Sequence, residues 1–307
     1  MKETRRIGSL EVSLVGLGCN NFGGRLDADA TAKVVYAALD AGINFFDTAD
    51  IYGGTKSEEF IGQALGSRRD EVVLATKFGI KLDDARPGGA SAAYIKQAAE
   101  DSLRRLRTDR IDLYQLHAPD PHTPMEETMG ALNELVQAGK VREIGCSNFS
   151  VEQLRTAEAA ARPGAARYVS VQNHYSLFHR AAEQDVLPEC ERTGIAFLPY
   201  FPLANGLLTG KYRKGQPFPE GTRIQAEGRN AGLLSEENLD KVEALIAFAE
   251  ARNHTLLELA FGWLLAHPSI ASVIAGATSV QQAQNNAAAA GWKLTSEEVA
   301  AINQIVS

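Results

Sequence analysis

The chain has 307 residues and is 45% hydrophobic, enough for a large core, and we expect a single domain over residues 1–307. Its 38 acidic and 31 basic residues give a net charge of −7, which argues against nucleic acid or an acidic membrane surface as a partner. Its three cysteines, Cys19, Cys146 and Cys190, are scattered, and neither a signal peptide nor a run of about 18 apolar residues is seen, so we expect a cytoplasmic protein.

Short β-prone runs alternate with helix-prone runs over most of the chain, which is typical of strand-helix units around a parallel sheet. Ahead of them, residues 6–12 carry a Gly-Ser turn between two β-prone arms and predict a small hairpin. Eight further strands are predicted, the number found in a (β/α)8 TIM barrel. They cover residues 14–18, 43–47, 72–76, 111–116, 143–146, 169–172, 196–200 and 272–275.

The segments between the strands contain helix signals and one long irregular stretch. Helices are predicted over residues 90–103, 151–161, 235–252 and 255–267, the last two forming an extra helical element. Ser150 precedes the second of these as a candidate cap. Residues 204–233 are rich in Gly and charge and too long for an ordinary connection, so we expect a functional loop over the C-terminal face of the barrel.

Four proton-handling side chains stand at or just after the ends of three predicted strands. Asp47 ends the second strand and Tyr52 follows five residues later, while Lys77 follows the third strand and His117 the fourth. In a parallel barrel these ends share the face on which active sites lie. Taken alone, each residue has an ordinary explanation as a cap, a solvated strand end or packing. Four such residues at successive strand ends together favour catalysis.

Further motifs accompany these residues in a fixed order along the chain. The motifs are Gly42 to Gly53, Ser57-Glu58-Glu59, Thr76-Lys77, Leu116-His117, Gly145-Cys-Ser-Asn148, Gln172-Asn173 and Tyr200 to Tyr212. Each is weak by itself, but their joint order and spacing are specific, and together they resemble the aldo-keto reductase family over nearly the whole chain. The resemblance implies an α/β fold, a (β/α)8 TIM barrel with extra helices. It also implies that the N-terminal hairpin closes the bottom of this barrel.

The resemblance also implies an enzyme that reduces an aldehyde or ketone reversibly, with a catalytic tetrad of Asp47, Tyr52, Lys77 and His117. Tyr52 is then the proton donor to the carbonyl. Because a free phenol has a pKa near 10, Lys77 is expected to stabilise the phenolate, with Asp47 holding the ammonium. His117 is expected to donate a hydrogen bond to the substrate oxygen and to relay a proton at lower pH.

The hydride must come from a cofactor, and no Gly-x-Gly-x-x-Gly follows the first strand, so a Rossmann mode of binding is not indicated. The resemblance implies a nicotinamide dinucleotide across the barrel mouth, NADP(H) by family default. Gly276 and Gln282 stand where NADP-preferring members place Lys or Arg, which leaves NAD(H) open. The implied cofactor contacts are Ser147, Asn148, Gln172, Tyr200, Phe201, Leu203, Gly206, Leu207, Lys211, Gly276, Thr278, Ser279, Gln282, Asn285 and Asn286.

The expected substrate is a small carbonyl compound in an aromatic, uncharged pocket, which suits an apolar or aromatic aldehyde or ketone. The expected pocket residues are Phe22, Ile51, Phe78 and His174, together with Phe201, where the family often has Ser. The sequence gives no sign of which oligomer the chain forms.

Two other functions stay open at this point. The first is a nucleotide-binding, redox-sensing barrel that resembles potassium-channel β-subunits. We expect no N-terminal blocking peptide, and this argues against that function. The second is a metal-dependent hydrolase that uses His117, His122 and a carboxylate such as Asp120. That His pair lies in one Pro-rich loop, so the hydrolase ranks far below the reductase.

Overall fold

The chain opens with an antiparallel hairpin of β1 (Thr4–Ile7) and β2 (Leu10–Ser13), as predicted. The turn between them requires Gly8, whose φ of 56° is unfavourable for other residues. The computed structural model describes residues 3–222, 224 and 231–307. Part of the predicted loop over residues 204–233 therefore lies outside the described residues.

Eight parallel strands follow the hairpin and form the (β/α)8 TIM barrel. The strands are β3 (Val15–Gly18), β4 (Phe45–Asp47), β5 (Val73–Phe78), β6 (Ile111–Leu116), β7 (Val141–Ser147), β8 (Tyr168–His174), β9 (Ala196–Tyr200) and β10 (Val273–Gly276). The sheet order is β10-β3-β4-β5-β6-β7-β8-β9. The barrel closes between β9 and the segment before β10, where the Phe197 amide donates to the Ser269 carbonyl (2.7 Å) and the Ala271 amide donates back to the Phe197 carbonyl (3.2 Å).

The helices of the described residues surround the barrel and extend it at the C-terminal end of the chain. The predicted cap at Ser150 is present, and its hydroxyl accepts from the Gln153 amide in a capping box. The helices are Ala28–Asp40, Lys56–Leu65, Ala92–Leu106, Met125–Gln137, Val151–Ala160, Val186–Thr193, Glu236–Glu250, Leu256–Leu265, Val280–Ala288 and Ser296–Val306.

The strand predicted over residues 43–47 is shorter in the structure, where β4 covers Phe45–Asp47. The first residues of the predicted strand belong instead to the C-terminal turn of the preceding helix. Gly42 has a φ of 83°, and the Ile43 amide donates to the Ala38 carbonyl (2.9 Å). This is the geometry of a helix C-terminus that turns back on glycine. Most other predicted strands differ by one to three residues at their ends, as expected for boundaries read from pattern.

The interior of the barrel is apolar at one end and polar at the other. At the N-terminal end, Ile7, Leu10 and Val12 of the hairpin pack against inward-facing residues such as Phe45 and Leu113. The hairpin therefore closes the bottom. The described residues bury all three cysteines as free thiols, and they bury the charged pair Asp47 and Lys77 at the opposite, C-terminal end.

Candidate active site

The four predicted proton-handling side chains meet at the C-terminal end of the barrel. Asp47 is the last residue of β4, Lys77 lies one residue before the end of β5, and His117 directly follows β6. Tyr52 begins a short 3-10 turn after β4. Because β4, β5 and β6 are adjacent and parallel, their ends bring these side chains to one place.

Asp47 and Lys77 form a fully buried ion pair. The Lys77 Nζ donates to Asp47 Oδ2 (2.7 Å) and to the Thr48 carbonyl (2.9 Å). Burial works to lower the pKa of Lys77, but the charges of Asp47 and Tyr52 outweigh it, and the pKa lies above its ordinary value. Lys77 is therefore a fixed positive charge beneath Tyr52.

Tyr52 lies directly beside this charge. The Lys77 Nζ is 5.2 Å from the centre of the Tyr52 ring, and the ring of His117 meets it edge-on at 5.9 Å between centroids. Burial raises the pKa of the Tyr52 phenol, and the Lys77 ammonium opposes that rise without cancelling it. The phenol is therefore neutral at neutral pH and carries its proton.

His117 is a neutral imidazole. Burial, helped by the positive charge of Lys77, lowers the pKa of His117 to about 3. Its Nδ1 is buried and has no hydrogen-bond partner among the described residues. A pKa this low favours the uncharged imidazole and argues against the expected proton relay through His117 at lower pH. Its remaining capacity is to donate or accept one hydrogen bond.

A cavity of about 750 Å³ opens above these side chains and runs across the barrel mouth. Lys77 stays beneath the wall because it is fully buried. The predicted site residues that line the cavity are Asp47, Tyr52, His117, Ser147, Asn148, Gln172, Tyr200, Phe201, Leu203, Gly206, Lys211, Gly276, Thr278, Gln282, Asn285 and Asn286.

At the centre of the wall, Ser147, Asn148 and Tyr200 are held by one another and by Gln172. The Ser147 hydroxyl donates to the Gln172 carbonyl (2.7 Å), and the Tyr200 hydroxyl donates to Asn148 Oδ1 (2.8 Å). The Asn148 Nδ2 donates to the His117 carbonyl (3.0 Å). These hydrogen bonds hold the three side chains in place on the wall.

The segment after β9 has an unusual backbone where it borders the cavity. Phe201, Ala204 and Asn205 all have positive φ, between 46° and 56°, a conformation that residues with a Cβ seldom adopt. Gly206 has a φ of 101°, and a Cβ there would lie 3.0 Å from Lys211 Nζ. Such backbone concentrated at a cavity is typical of a segment shaped for a ligand.

At the far end of the cavity, the helix Val280–Ala288 begins. The Ser279 hydroxyl caps this helix by accepting from the Gln282 amide, so Ser279 does not line the cavity. The Thr278 amide and hydroxyl both donate to Gln282 Oε1, at 2.8 and 3.0 Å. The side-chain oxygen of Gln282 is thus already hydrogen-bonded, which leaves the side-chain NH2 group to face a ligand.

The structure does not bring the four predicted substrate-pocket residues to the cavity wall. Phe22 and Phe78 are fully buried, and Phe78 faces outward from β5, stacked on Tyr114 at 4.6 Å, because the inward position is taken by Lys77. Ile51 is half-buried beside the wall.

His174 also lies behind the wall, with its ring stacked on His179 (3.8 Å) and on Tyr200 (5.3 Å). Leu207, expected as a cofactor contact, is fully buried. Elsewhere the cavity wall also carries the charged residues Arg25, Lys211 and Glu220.

Several wall residues were missed from the sequence. Asn20 and Asn21 follow the end of β3, the same position that pointed to the other site residues, and this was the available signal. Arg25 donates from Nη2 to the Gly221 carbonyl (2.8 Å), a contact between distant segments that no local pattern indicates. Beneath the wall, Gln115 of β6 donates to Asp47, and its signal was a polar residue at an inward position of an apolar strand.

The hydrolase alternative receives no support from the loop that follows β6. The Asp120 carboxylate accepts from the amides of Ala90 (2.8 Å) and His122 (2.9 Å) and from the Thr123 hydroxyl (2.7 Å), so it organises the loop. Within residues 3–222, 224 and 231–307, no group of three or more His, Cys, Asp or Glu side chains is arranged to hold a metal ion. Over the same described ranges, each helix is too short or too polar to traverse a lipid bilayer.

Sequence comparison finds a family match over nearly the whole chain. A sequence model described as the Aldo/keto reductase family matches residues 14–307. The chain is 37% identical over 305 residues to the aldo-keto reductase YhdN of Bacillus subtilis (strain 168), covering 97% of this chain and 91% of that protein. It is 35% identical over 287 residues to a probable voltage-gated potassium channel subunit beta of Arabidopsis thaliana, with coverages of 90% and 87%.

Solved structures agree with this likeness. The glycerol dehydrogenase from Gluconobacter oxydans superimposes with a TM-score of 0.86 at 33% identity, covering 99% of this chain and 94% of the other. An aldo/keto reductase from Klebsiella pneumoniae, solved in complex with NADP and acetate, superimposes with a TM-score of 0.77 at 30% identity, with coverages of 100% and 96%.

Proposed function

Because the chain belongs to the aldo/keto reductase family, and is thus an oxidoreductase of the kind that uses a nicotinamide cofactor, we propose that it reduces an aldehyde or ketone reversibly to the alcohol with NADP(H). Tyr52 donates the proton. The observation that carries this proposal is the buried Asp47–Lys77 pair placed directly beneath a phenol on the cavity wall.

The proton transfer rests on the charge of Lys77. A neutral Tyr52 is the form that can protonate an alkoxide as it develops on the carbonyl oxygen. The ammonium of Lys77 stabilises the phenolate that remains, and Asp47 keeps that ammonium in place (2.7 Å). In the opposite direction, the phenolate accepts the proton of the alcohol.

His117 orients the carbonyl for this transfer. As an uncharged imidazole on the cavity wall it can donate one N–H to the substrate oxygen without competing as an acid. Its ring meets Tyr52 edge-on, close enough for both side chains to reach the same substrate oxygen. A positioned donor at the oxygen where charge develops lowers the barrier.

The residues along the wall suit a dinucleotide that extends from Tyr52 to the helix Val280–Ala288. When bound, the nicotinamide ring supplies or accepts the hydride. Ser147, Asn148 and Gln172 would hold its carboxamide. Tyr200 offers a face for stacking, and the positive-φ backbone from Phe201 to Gly206 offers amides for the phosphates.

We propose NADP(H) as the preferred nucleotide, with NAD(H) also accepted. Two cationic side chains, Arg25 and Lys211, are on the cavity wall and suit the phosphate groups. The NH2 group of Gln282 can donate to either a 2′-hydroxyl or a 2′-phosphate. The Klebsiella pneumoniae relative in complex with NADP supports the phosphorylated nucleotide.

We propose a small carbonyl compound as the substrate. The cavity wall combines the rings of Tyr200 and Phe201 with the side-chain amide of Asn20, so it can hold an apolar body and a hydroxyl on the same molecule. The structural likeness to a glycerol dehydrogenase supports a hydroxylated substrate.

The second candidate is a nucleotide-binding regulatory barrel, favoured by the 35% identity to a probable potassium channel subunit beta. Such a protein would bind NADPH and turn over carbonyls negligibly. A fluorescence titration with NADPH and NADH followed by steady-state assays on a panel of aldehydes and ketones separates the two candidates.

The Tyr52→Phe variant tests the proposed chemistry directly. We expect its turnover of any substrate from that panel to fall by about a hundredfold to ten-thousandfold, because a general acid is lost. Nucleotide affinity should stay nearly unchanged, since the hydroxyl acts on the substrate oxygen. Wild-type turnover by Tyr52→Phe would contradict the assignment.

A further inference from the structure

An amide side chain lies beneath the cavity where the proposed chemistry does not use it. Gln115 of β6 is fully buried and faces the barrel interior. Leu113, two residues earlier on the same face, is apolar. A buried amide is unfavourable unless it is hydrogen-bonded, so its partner matters. Its Nε2 donates to Asp47 Oδ1 (3.1 Å).

A second amide shares this oxygen. The Gln172 Nε2 donates to Asp47 Oδ1 (2.9 Å) and approaches Gln115 Oε1 at 3.5 Å. The other carboxylate oxygen, Oδ2, accepts from Lys77 (2.7 Å). Asp47 therefore faces one ammonium on one side and two neutral amides on the other.

We propose that Gln115 is a positioning residue for the carbonyl reduction: with Gln172 it neutralises part of the charge of Asp47 on the side away from Lys77, and so sets the acidity of Tyr52. The proposal rests on the function proposed above. Gln115 touches neither substrate nor cofactor and acts only through Asp47.

The direction of the effect follows from the charges around Tyr52. After burial, the largest influences on the pKa of the phenol are Lys77, which lowers it, and Asp47, which raises it. Hydrogen bonds to a carboxylate spread its charge over the donors. Without Gln115, Asp47 keeps two donors and exerts a stronger field on Tyr52, so the phenol becomes a weaker acid.

Gln115→Leu and Gln115→Met test the proposal, the second keeping the unbranched shape of glutamine. The Tyr52 phenol can be titrated in cofactor-free protein by NMR of tyrosine labelled with 13C at Cζ, with Tyr52→Phe to assign its signal. We expect its titration to move upward by at least about half a pKa unit, a factor of about three. The alkaline limb of the kcat profile for alcohol oxidation should move the same way, with nucleotide affinity unchanged.

Ser170→Ala is the matched control. Ser170 is buried in the same part of the barrel interior, beside Gln115 across Gly145, and its hydroxyl has no hydrogen-bond partner among the described residues. The Ser170→Ala variant should leave the Tyr52 titration and the kcat profile unchanged. If folded Gln115→Met protein gives the wild-type Tyr52 titration and kcat profile, the proposal is overturned. The NMR titration needs no turnover, so its outcome is separate from that of the reductase assay.

Discussion

Lys77 is an ammonium with no contact with water, held by one carboxylate and one backbone carbonyl. A buried charge of this kind is costly and persists only when its partners are in place. Since Asp47 and Lys77 lie on adjacent strands, the barrel itself keeps the pair assembled. The same charge accounts for two properties of its neighbours, because it opposes the rise in the pKa of Tyr52 and lowers that of His117.

Lys77→Met should remove nearly all reductase activity, because the phenolate of Tyr52 loses the charge that stabilises it. The alkaline limb of the pH-rate profile should move to higher pH in the activity that remains. Asp47 is left uncompensated, so we also expect a stability loss of about 3 to 5 kcal/mol, measured by denaturant unfolding.

Asp47→Asn should reduce reductase activity less than Lys77→Met does, since it keeps Lys77 and a hydrogen-bonding side chain at position 47. An unchanged pH-rate profile in Lys77→Met would show that Tyr52 and Lys77 are not coupled.

Gln282→Arg should strengthen NADPH binding relative to NADH. The side chain lies on the cavity wall at the start of the helix Val280–Ala288, and an Arg there would place a guanidinium near a 2′-phosphate. A charge-assisted hydrogen bond contributes about 1.5 to 3 kcal/mol when its geometry is good, and salt should reduce the gain. Dissociation constants for both nucleotides at low and high ionic strength measure this.

Gln281→Arg is a matched control at the preceding residue, which does not line the cavity. An unchanged ratio of NADPH to NADH affinity in Gln282→Arg would place the adenosine end elsewhere.

At the level of helices, one close contact between neighbours depends on Gly62. This residue lies in Lys56–Leu65, and a Cβ there would lie 2.6 Å from backbone atoms of Arg105 and Leu106 at the end of the next helix. Backbone cannot move aside as a side chain can. Glycine is thus required for the approach of these two helices.

Gly62→Ala should therefore destabilise the protein by about 1 to 3 kcal/mol or more through overpacking, although alanine is the better helix former. Gly130 in Met125–Gln137 provides the control, because a Cβ there meets nothing within 4 Å. Gly130→Ala should be neutral or stabilise by up to about 1 kcal/mol. Chemical denaturation of both variants compares them, and equal effects would disprove the close-packing argument.

Strands and helices were predictable because each has a local signal, either an apolar run with turn residues or a capping residue such as Ser150. The ends of β4 were less predictable, since Gly42 and Ile43 belong to the preceding helix through a hydrogen bond that pattern does not reveal. Phe78 was misplaced for a related reason. Its position after Lys77 suggested the mouth of the barrel, but alternation along β5 points it outward.

At the scale of the whole molecule, one buried carboxyl outside the proposed chemistry affects how stability depends on pH. Burial and the negative charge of Glu58 raise the pKa of Asp50 to about 7. In the unfolded chain the same carboxyl titrates near 4. Between these values the folded state holds a proton that the unfolded state has lost, so stability falls as pH rises through that range.

Asp50→Asn should remove this dependence. Relative to the variant, the wild-type protein should lose about 3 kcal/mol of stability between pH 5 and pH 8. Urea unfolding at several pH values measures the difference. Asp109→Asn, which removes a carboxyl that is 89% exposed, is the control and should run parallel to wild type. Parallel curves for Asp50→Asn and wild type would contradict the prediction.

The three buried thiols of this chain can report on local unfolding in different parts of the structure. Cys19, Cys146 and Cys190 are almost completely shielded from water, so a thiol reagent added to the folded protein can react only during excursions that expose them. They lie in different places: after β3 beside the cavity, within β7, and in the helix Val186–Thr193. Mass spectrometry of the modified peptides would thus time the opening of the mouth, the barrel and the outer layer separately. A bound nucleotide should slow the labelling of Cys19 more than that of Cys146 or Cys190.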